Sequence, residues 1–273
     1  MDQKYLRLIF TFSAISFYML LCSFTPAADT IKSTGFKLKT VIIDAGHGGK
    51  DGGAHGAFSH EKNVTLAIAQ KLQAAIQTQL PDLATVMTRT DDTFIELNRR
   101  SAIANKAQGN LFISIHCNSS AEGNAYREHK QNGVMLLVYG LHRVREQLEA
   151  MRENASILIE NDYKEKYQAL DATDPANAII LDAFTKKYRK QSIKFGELLN
   201  QEFTETDGRS SLGVREQGLY VLANSAMPAV LIETGFINNP DEETFLNSEE
   251  GQQQIVQTII RSIIAYRTAL TIQ

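Results

Sequence analysis

Two histidines of this chain each follow an apolar run that predicts a buried strand. His47 lies in the motif DAGHGG (44–49) after Val-Ile-Ile, and His116 lies in SIHCN (114–118) after Leu-Phe-Ile. A third apolar run, residues 229–232, leads directly into Glu233. The carboxyl ends of parallel strands share one edge of an α/β sheet, where such folds build their sites. Two imidazoles and a carboxylate gathered there are the side chains that a zinc hydrolase requires.

A catalytic zinc ion usually takes three protein ligands, so a third ligand is needed beside His47 and His116. Glu61 stands one loop after His47, at the foot of the first predicted helix. An acidic residue there also suits the helix dipole, and the residues alone leave the ligand and capping roles equally open. His60 adjoins Glu61 and is an alternative ligand. Glu233 is the candidate base that takes a proton from water and returns it to the leaving amine.

Other interpretations of these motifs are weaker. The glycines around His47 are typical of phosphate-binding turns too, but the motif lacks the Lys-Ser/Thr pair of a P-loop. A single histidine such as His116 is usually a hydrogen-bonded core residue. Because His47 also lies at the carboxyl end of a predicted strand, the ligand role is favoured for His116. The side chain of Cys117 points to the opposite face of its strand from that of His116, so we predict that it belongs to the core.

The composition fits an ordinary enzyme domain and gives no sign of a nucleic-acid partner. The 273 residues are 43% hydrophobic and 22% charged, with a formal net charge of −3. Nucleic-acid binding usually needs a basic surface, so any polyanion would have to meet a local basic patch.

The first 28 residues read as a signal peptide. Lys4 and Arg7 precede an apolar stretch at 8–24, and Thr25-Pro26-Ala27-Ala28 is a small-residue cleavage context. An uncleaved membrane anchor is the alternative, and Leu21 before Cys22 argues against lipidation. We predict an exported protein of the periplasm or cell envelope, with no stable membrane anchor after cleavage, a short linker at 29–37 and a catalytic domain at 38–273.

Beyond residue 38, strand-like and helix-like segments alternate. This pattern predicts a single α/β domain with a mostly parallel, about six-stranded sheet flanked by helices. The stretch 141–206 interrupts the alternation with two helical segments. It is much longer than the dozen or so residues that a crossover between parallel strands needs. We therefore predict a helical insertion near the site. The predicted strands are 39–45, 83–88, 111–115, 134–139, 219–222 and 229–232, and the predicted helices outside the insertion are 63–80, 94–107 and 252–266.

Several separated motifs occur in a fixed order: IIDAGHGGKDGG (42–53), EK (61–62), TR (88–89), SIHCN (114–118) and LIETGFINN (231–239). In this order they resemble the zinc-dependent N-acetylmuramoyl-L-alanine amidases of bacterial cell-wall turnover. The resemblance implies one Zn²⁺ per chain, held by His47, Glu61 and His116, with Glu233 as the catalytic residue. The implied reaction hydrolyses the amide that joins N-acetylmuramic acid to the L-alanine of the stem peptide in peptidoglycan.

The insertion resembles that of one subgroup, the amidases that separate daughter cells at division. The shared string is Arg152-Glu153-Asn154-Ala155-Ser156. The resemblance implies an autoinhibited enzyme, a protein activator that displaces the insertion, and an acidic side chain such as Glu153 at the open zinc position. The alternative for Glu153 is a solvated helix face, which is the usual place for charges at helical spacing.

Two other functions are alternatives to a wall amidase. A zinc peptidase that cuts within the stem peptide would use the same chemistry. A non-catalytic wall-binding protein is expected to have lost a ligand or the base, whereas all four residues are present. We expect a monomer that carries no wall-targeting domain of its own and depends on its partner or its catalytic domain for localisation.

Overall fold

A computed structural model describes residues 37–120, 130–140, 147–163, 167 and 175–271. The predicted signal peptide and most of the predicted linker lie outside these residues. Within the described part of the chain, no helix is long and apolar enough to cross a membrane. The strands are β1 (Thr40–Ala45), β2 (Ala84–Met87), β3 (Leu111–Asn118), β4 (Val134–Tyr139), β5 (Ser211–Gln217) and β6 (Ala229–Phe236). The helices are α1 (Glu61–Gln79), α2 (Leu97–Lys106), α3 (Leu148–Asn154), α4 (Pro175–Gln201), α5 (Tyr220–Ala223), α6 (Pro240–Asn247) and α7 (Glu249–Thr271).

The six strands form one sheet in the order β2-β1-β3-β6-β4-β5. The neighbours β1/β2, β1/β3, β3/β6 and β4/β5 are parallel, and β4/β6 is antiparallel. The predicted fold class, a mostly parallel sheet flanked by helices, is therefore confirmed. β1, β3 and β6 are adjacent and parallel, so their carboxyl ends bring the motifs at 44–49, 114–118 and 231–239 to one edge.

Both faces of the sheet are apolar because alternate residues of its buried strands enter two separate cores. Val41 and Ile43 lie in the larger core with side chains of α1, α4 and α7, whereas Ile42 lies in the smaller core with side chains of α2, α3 and α5. Such burial on both faces explains the continuous apolar runs of β1, β3 and β6. Cys117 is buried in the larger core, as its place in β3 predicts.

One predicted strand is wrong. Residues 219–222 largely coincide with the short helix α5 and form no strand. The fifth strand is instead β5, which begins eight residues earlier in the chain. β5 is an edge strand whose sequence SLGVREQ is largely half-exposed, so it lacks an apolar period. A short buried apolar run such as Leu-Tyr-Val-Leu fits a helix as well as a strand.

The segment 141–206 contains two helices with different surroundings. α3 carries Arg152 and Glu153 to the carboxyl edge of the sheet. Residues 141–146 of the segment, which precede α3, lie outside the described residues. α4 packs on the larger core, where Phe195 and Leu199 are fully buried. α4 therefore serves as the crossover helix between the parallel strands β4 and β5, so the part of the segment that can cover the site is its first half.

Candidate metal centre

Four side chains bring their donor atoms together at the carboxyl edge. One ligand atom from each of His47, Glu61, His116 and Glu153 lies within 4.8 Å of the other three, and all four side chains are buried. His47 Nε2 is 3.1 Å from Glu61 Oε2 and 3.4 Å from Glu153 Oε2. His116 Nδ1 is 3.0 Å from Glu61 Oε1 and 2.8 Å from Glu153 Oε2. The structure thus brings together the three predicted ligands and Glu153.

His47 is presented by a tightly held backbone turn. Its φ of 59° is in the left-handed region, which is uncommon for a residue with a side chain. The buried guanidinium of Arg100 donates to the carbonyls of Ala45 and His47 at 2.7 Å, and that of Arg89 donates to the carbonyls of Ala45 and Gly46. These hydrogen bonds fix residues 45–47 and with them the direction of the imidazole.

A buried carboxylate supports this pair of arginines. Asp44 accepts from Arg100 Nη1 at 2.9 Å and from the hydroxyls of Thr88 and Ser114 at 2.6 Å each. Burial raises the pKa of Asp44, but Arg100 and the two hydroxyls outweigh it and the pKa is lowered. The carboxylate stays ionised and offsets a buried positive charge directly beneath the His47 turn.

Asp51 fixes the orientation of the His47 ring from the other side. Asp51 Oδ2 is 2.9 Å from His47 Nδ1, four residues along the chain. A carboxylate at Nδ1 leaves Nε2 directed at the centre, which is the usual arrangement behind a metal-binding histidine.

Replacing Asp51 with asparagine should weaken zinc binding by roughly 10–100-fold, the usual effect of removing the second partner of a ligating histidine. Competition with a chromogenic chelator measures this constant directly. Zinc affinity equal to that of the wild-type protein would mean that Asp51 does not orient His47.

Gly46 lets the second histidine approach the backbone closely. A Cβ at residue 46 would lie 2.4 Å from His116 Cε1 and 2.5 Å from its Nε2. The ring of His116 therefore packs directly on the Gly46 backbone, so any side chain at 46 displaces it.

We expect Gly46→Ala to weaken zinc binding and to destabilise the fold by about 1–3 kcal/mol, the usual cost of overpacking. Zinc titration and thermal melting measure the two effects. Gly52→Ala is the matched control, because a Cβ there has its nearest neighbour at 3.6 Å. Equal behaviour of the two variants would contradict a requirement for glycine at 46.

Glu61 begins α1 with its carboxylate turned into the centre. Its Oε1 accepts from the backbone N–H of Cys117 and its Oε2 from that of Ala54, both at 2.8 Å. Burial raises the pKa of Glu61, but His47 and His116 outweigh it and hold the pKa at about 2. Glu61 therefore carries a negative charge at the centre. His60, the alternative ligand, is exposed and is not one of the four clustered residues.

The electrostatics of the cluster fit a divalent cation. Burial lowers the pKa of His116, but Glu153 and Glu61 outweigh it and raise the pKa to about 9. The two carboxylates thus favour positive charge between them. His47 Nε2 and Glu153 Oε2 are buried and lack a well-directed hydrogen bond within the described residues, although they are only 3.4 Å apart. Two imidazoles and two carboxylates with convergent lone pairs are a donor set that suits zinc.

Glu233 lies beside the cluster on the neighbouring strand. β3 and β6 pair His116 with Glu233, and the register shifts immediately afterwards at a bulge. Glu233 is fully buried and its Oε1 lies 2.7 Å from Arg152 Nη2. Burial raises the pKa of Glu233 to about 8 against the opposing charge of Arg152. A raised pKa makes the ionised carboxylate a stronger proton acceptor, which suits a group that takes a proton from water and gives it to a leaving amine.

Arg152 connects α3 to the site through several contacts. Its Nη1 donates to Asn118 Oδ1 at 2.7 Å and to the Ser119 carbonyl at 3.1 Å, and its Nη2 reaches both Glu153 and Glu233. Arg152 and Glu153 of α3 therefore face the centre and not solvent. The site opens into a cleft of about 710 Å³ lined in part by His47, Glu61 and Glu153.

The residues that hold the ligands in place were not predicted from the sequence. Asp51 and Arg89 lie inside quoted motifs, but nothing in their spacing assigns them a role. Arg100 lies on α2, where a polar residue reads as solvent-exposed, and in the structure it is 1% exposed. A charged residue within an apolar helical face is the only signal that marks such a residue beforehand.

Comparisons with known proteins agree over nearly the whole described domain. Residues 41–265 match the Amidase_3 family, described as N-acetylmuramoyl-L-alanine amidase. AmiC of Escherichia coli O6:H1 is 32% identical over 228 residues, which cover 83% of this chain and 52% of that protein. AmiA of Salmonella typhimurium is 32% identical over 86% of this chain and 78% of that protein.

A solved structure shares the fold. The catalytic domain of CwlV, an N-acetylmuramoyl-L-alanine amidase from Bacillus (Paenibacillus) polymyxa var. colistinus, superposes with a TM-score of 0.58 at 30% identity. The match covers 84% of this chain and 97% of that domain. By contrast, the chain spans about half the length of the AmiC and AmiB relatives that it matches.

Proposed function

The chain belongs to the N-acetylmuramoyl-L-alanine amidase family, and from this premise we propose that it cleaves peptidoglycan in a zinc-dependent reaction. The bond is the amide between N-acetylmuramic acid and L-alanine. The observation that carries the proposal is the convergence of His47, Glu61 and His116 beside the buried carboxylate of Glu233. We propose the same three residues as the zinc ligands and Glu233 as the base.

Zinc, when bound, supplies a Lewis acid that polarises a carbonyl and makes water more acidic. Glu61 contributes negative charge at the centre, and the Asp51 carboxylate keeps Nε2 of His47 directed at it. Glu233 takes a proton from the attacking water as the new C–O bond forms. It then delivers that proton to the alanine nitrogen as the C–N bond breaks, so the products are a carboxylic acid and a free amine.

We propose that α3 holds the enzyme in an autoinhibited state. Glu153 completes the four-donor cluster, so its carboxylate would take up a position on a bound zinc ion that water or substrate would otherwise use. Arg152 pairs with Glu233 and favours the ionised, hydrogen-bonded form of a carboxylate that has to accept a proton. Activity then requires α3 to move away from the cleft.

The outward side of this segment supports a protein activator as the agent of release. Leu148 and Met151 are 72% and 71% exposed, and their apolar side chains lie three residues apart on α3 and so share one face. Leu158, which follows α3, is 66% exposed. Neighbouring exposed apolar side chains are typical of protein interaction sites. We propose that the activator binds this side of the segment, and that the enzyme acts on the wall in the cell envelope, in wall turnover and daughter-cell separation.

Peptide release from purified peptidoglycan tests the reaction. The wild-type protein and the Arg152→Ala/Glu153→Ala variant are incubated with peptidoglycan, with and without a chelator. The soluble products are identified by mass spectrometry. We expect stem peptides with a free L-alanine amine, more from the variant and none with chelator. Fragments cut inside the stem peptide would identify a peptidase. Zinc-loaded, folded protein that releases nothing in either form would favour a wall-binding role.

A further inference from the structure

The guanidinium of Arg152 is held by oxygen atoms that do not belong to α3. Its Nη1 lies 2.7 Å from Asn118 Oδ1 and 3.1 Å from the Ser119 carbonyl oxygen, and its Nη2 lies 2.7 Å from Glu233 Oε1. These three oxygens, which we call the acceptor group, come from the end of β3, from the residue after it and from β6. The reaction proposed above uses Glu233 and makes no use of the other two oxygens.

Contacts that do not involve α3 fix the acceptor group in place. Asn118 is 3% exposed, and its Oδ1 also accepts from the Ser119 N–H at 2.7 Å. The carbonyl of Asn118 accepts from the Ile237 N–H at 2.8 Å. The side-chain amide of Asn238 accepts from the N–H of Ser120 and donates to its carbonyl, both at 3.1 Å. The chain after β6 therefore holds both neighbours of Ser119, so the directions of these oxygens are set before a ligand arrives.

Release of α3 removes the donor that the acceptor group has in the closed enzyme. The side chain of Arg152 is 28% exposed and lines the cleft together with Ser119. Its departure therefore extends the cleft to Asn118 and Glu233, which it covers in the closed enzyme. A buried acceptor without a donor is unfavourable. The open cleft thus favours a ligand that brings an N–H to the place of the guanidinium.

The scissile amide carries the N–H that fits this place. Glu233 has to deliver a proton to the alanine nitrogen, so that nitrogen must come within hydrogen-bond reach of its carboxylate. Arg152 Nη2 is at that distance from Glu233 Oε1 in the closed enzyme. Nη1 is bonded to the same guanidinium carbon and reaches Asn118 and Ser119. A nitrogen that replaces the guanidinium can therefore have Glu233 on one side and an acceptor for its own N–H on another.

We propose that Asn118 Oδ1 and the Ser119 carbonyl accept the N–H of the scissile amide in the open enzyme, and that Arg152 takes the place of this N–H in the closed one. The inference rests on the proposed function, because that amide is the proposed substrate. The two oxygens hold the alanine nitrogen so that its developing lone pair faces Glu233, which delivers the proton as the C–N bond breaks. Asn118 and Ser119 are therefore substrate-positioning residues, and the product leaves as a free amine.

Guanidinium ion tests the acceptor group without a measurement of activity. Millimolar guanidinium chloride is titrated into full-length Arg152→Ala protein, and the amide resonance of Ser119 is followed, because this N–H donates to Asn118 Oδ1. We expect a saturable shift that sodium and tetramethylammonium chlorides do not produce, since neither cation has an N–H. The wild-type protein should show no such shift, because Arg152 already fills the place. No saturable shift in the variant, or an equal shift in the wild type, overturns the proposal.

The same ion tests whether the substrate occupies this place. In the Arg152→Ala/Glu153→Ala variant, guanidinium at concentrations that saturate the Ser119 shift should raise KM for peptide release severalfold and leave kcat unchanged. Tetramethylammonium chloride at the same concentration controls for ionic strength. Guanidinium that binds without raising KM would show that the substrate does not use the acceptor group, and the proposal would be wrong.

Asn118→Leu separates recognition of the amide N–H from a structural role. In Arg152→Ala/Glu153→Ala protein, a synthetic N-acetylmuramic acid amide of an L-alanyl peptide is compared with its ester analogue, which has oxygen in place of the scissile nitrogen. Neither substrate carries a side-chain amine.

Leucine should lower kcat/KM for the amide about two- to tenfold, the effect of one lost hydrogen bond, and leave the ester unchanged. Asn132→Leu is the matched control, because it makes the same substitution at an exposed position. Equal losses on both substrates, or no loss on either, overturn the proposal. Failure to release stem peptides from peptidoglycan in any variant defeats the proposed function, whereas release with an unchanged ratio of amide to ester cleavage defeats this inference alone.

Discussion

Glu233→Gln should lower kcat for peptide release by about 10²–10⁴-fold, the usual contribution of a general base. Glutamine keeps the size of the side chain and can still accept a hydrogen bond from Arg152, but it cannot take a proton from water. Glu233 is not one of the four clustered donors, so zinc content should stay at one ion per chain. Mass spectrometry of released peptides and metal analysis of the same sample measure both quantities.

This comparison is made in the wild-type protein and in the Arg152→Ala/Glu153→Ala variant, so that a change in gating is not mistaken for a change in chemistry. Glu250→Gln is the matched control, because it makes the same substitution at an exposed position. A Glu233→Gln protein that keeps zinc and releases peptides within a few-fold of the parent rate would remove Glu233 from the reaction.

The sequence was sufficient to predict the edge at which the site forms. Long apolar runs before His47, His116 and Glu233 read directly as buried strands, and parallel strands place their carboxyl ends together. The role of Glu61 was harder to predict, because an acidic residue in the first turn of a helix is explained equally well by the helix dipole and by metal binding. Its burial and its contacts with both histidines come from the tertiary structure and from no local pattern.

The remaining site residues depend on packing that single positions do not reveal. Glu153 and Arg152 lie on a short helix whose charges would normally face solvent, and their burial follows from where the loop places α3. β5 escaped prediction because edge strands need only a weak apolar face. Conversely, α4 was predicted to belong to an insertion because many residues separate the predicted strands on either side of it. The burial of Phe195 and Leu199 shows that it is a core helix.

Arg152→Ala/Glu153→Ala should raise the rate of peptide release by roughly ten- to hundredfold in the absence of any activator. One hydrogen bond to a charged group contributes roughly 1.5–3 kcal/mol, which corresponds to that range in the ratio of closed to open enzyme. Arg152 contacts Glu233, Asn118 and Ser119, and Glu153 contacts both histidines. Their removal therefore detaches α3 from the base and from the metal donors at once.

Met151→Ala is the matched control for this release. Met151 lies on the same helix, directly before Arg152, but its side chain is 71% exposed and makes none of the contacts to the cleft. It should leave the rate without activator unchanged, whereas the single variants Arg152→Ala and Glu153→Ala should each give part of the increase. Melting temperature and zinc content are measured for all four proteins. If the double variant binds zinc, stays folded and works no faster than Met151→Ala, α3 does not restrain the enzyme, and Glu153 belongs to the centre as an ordinary ligand.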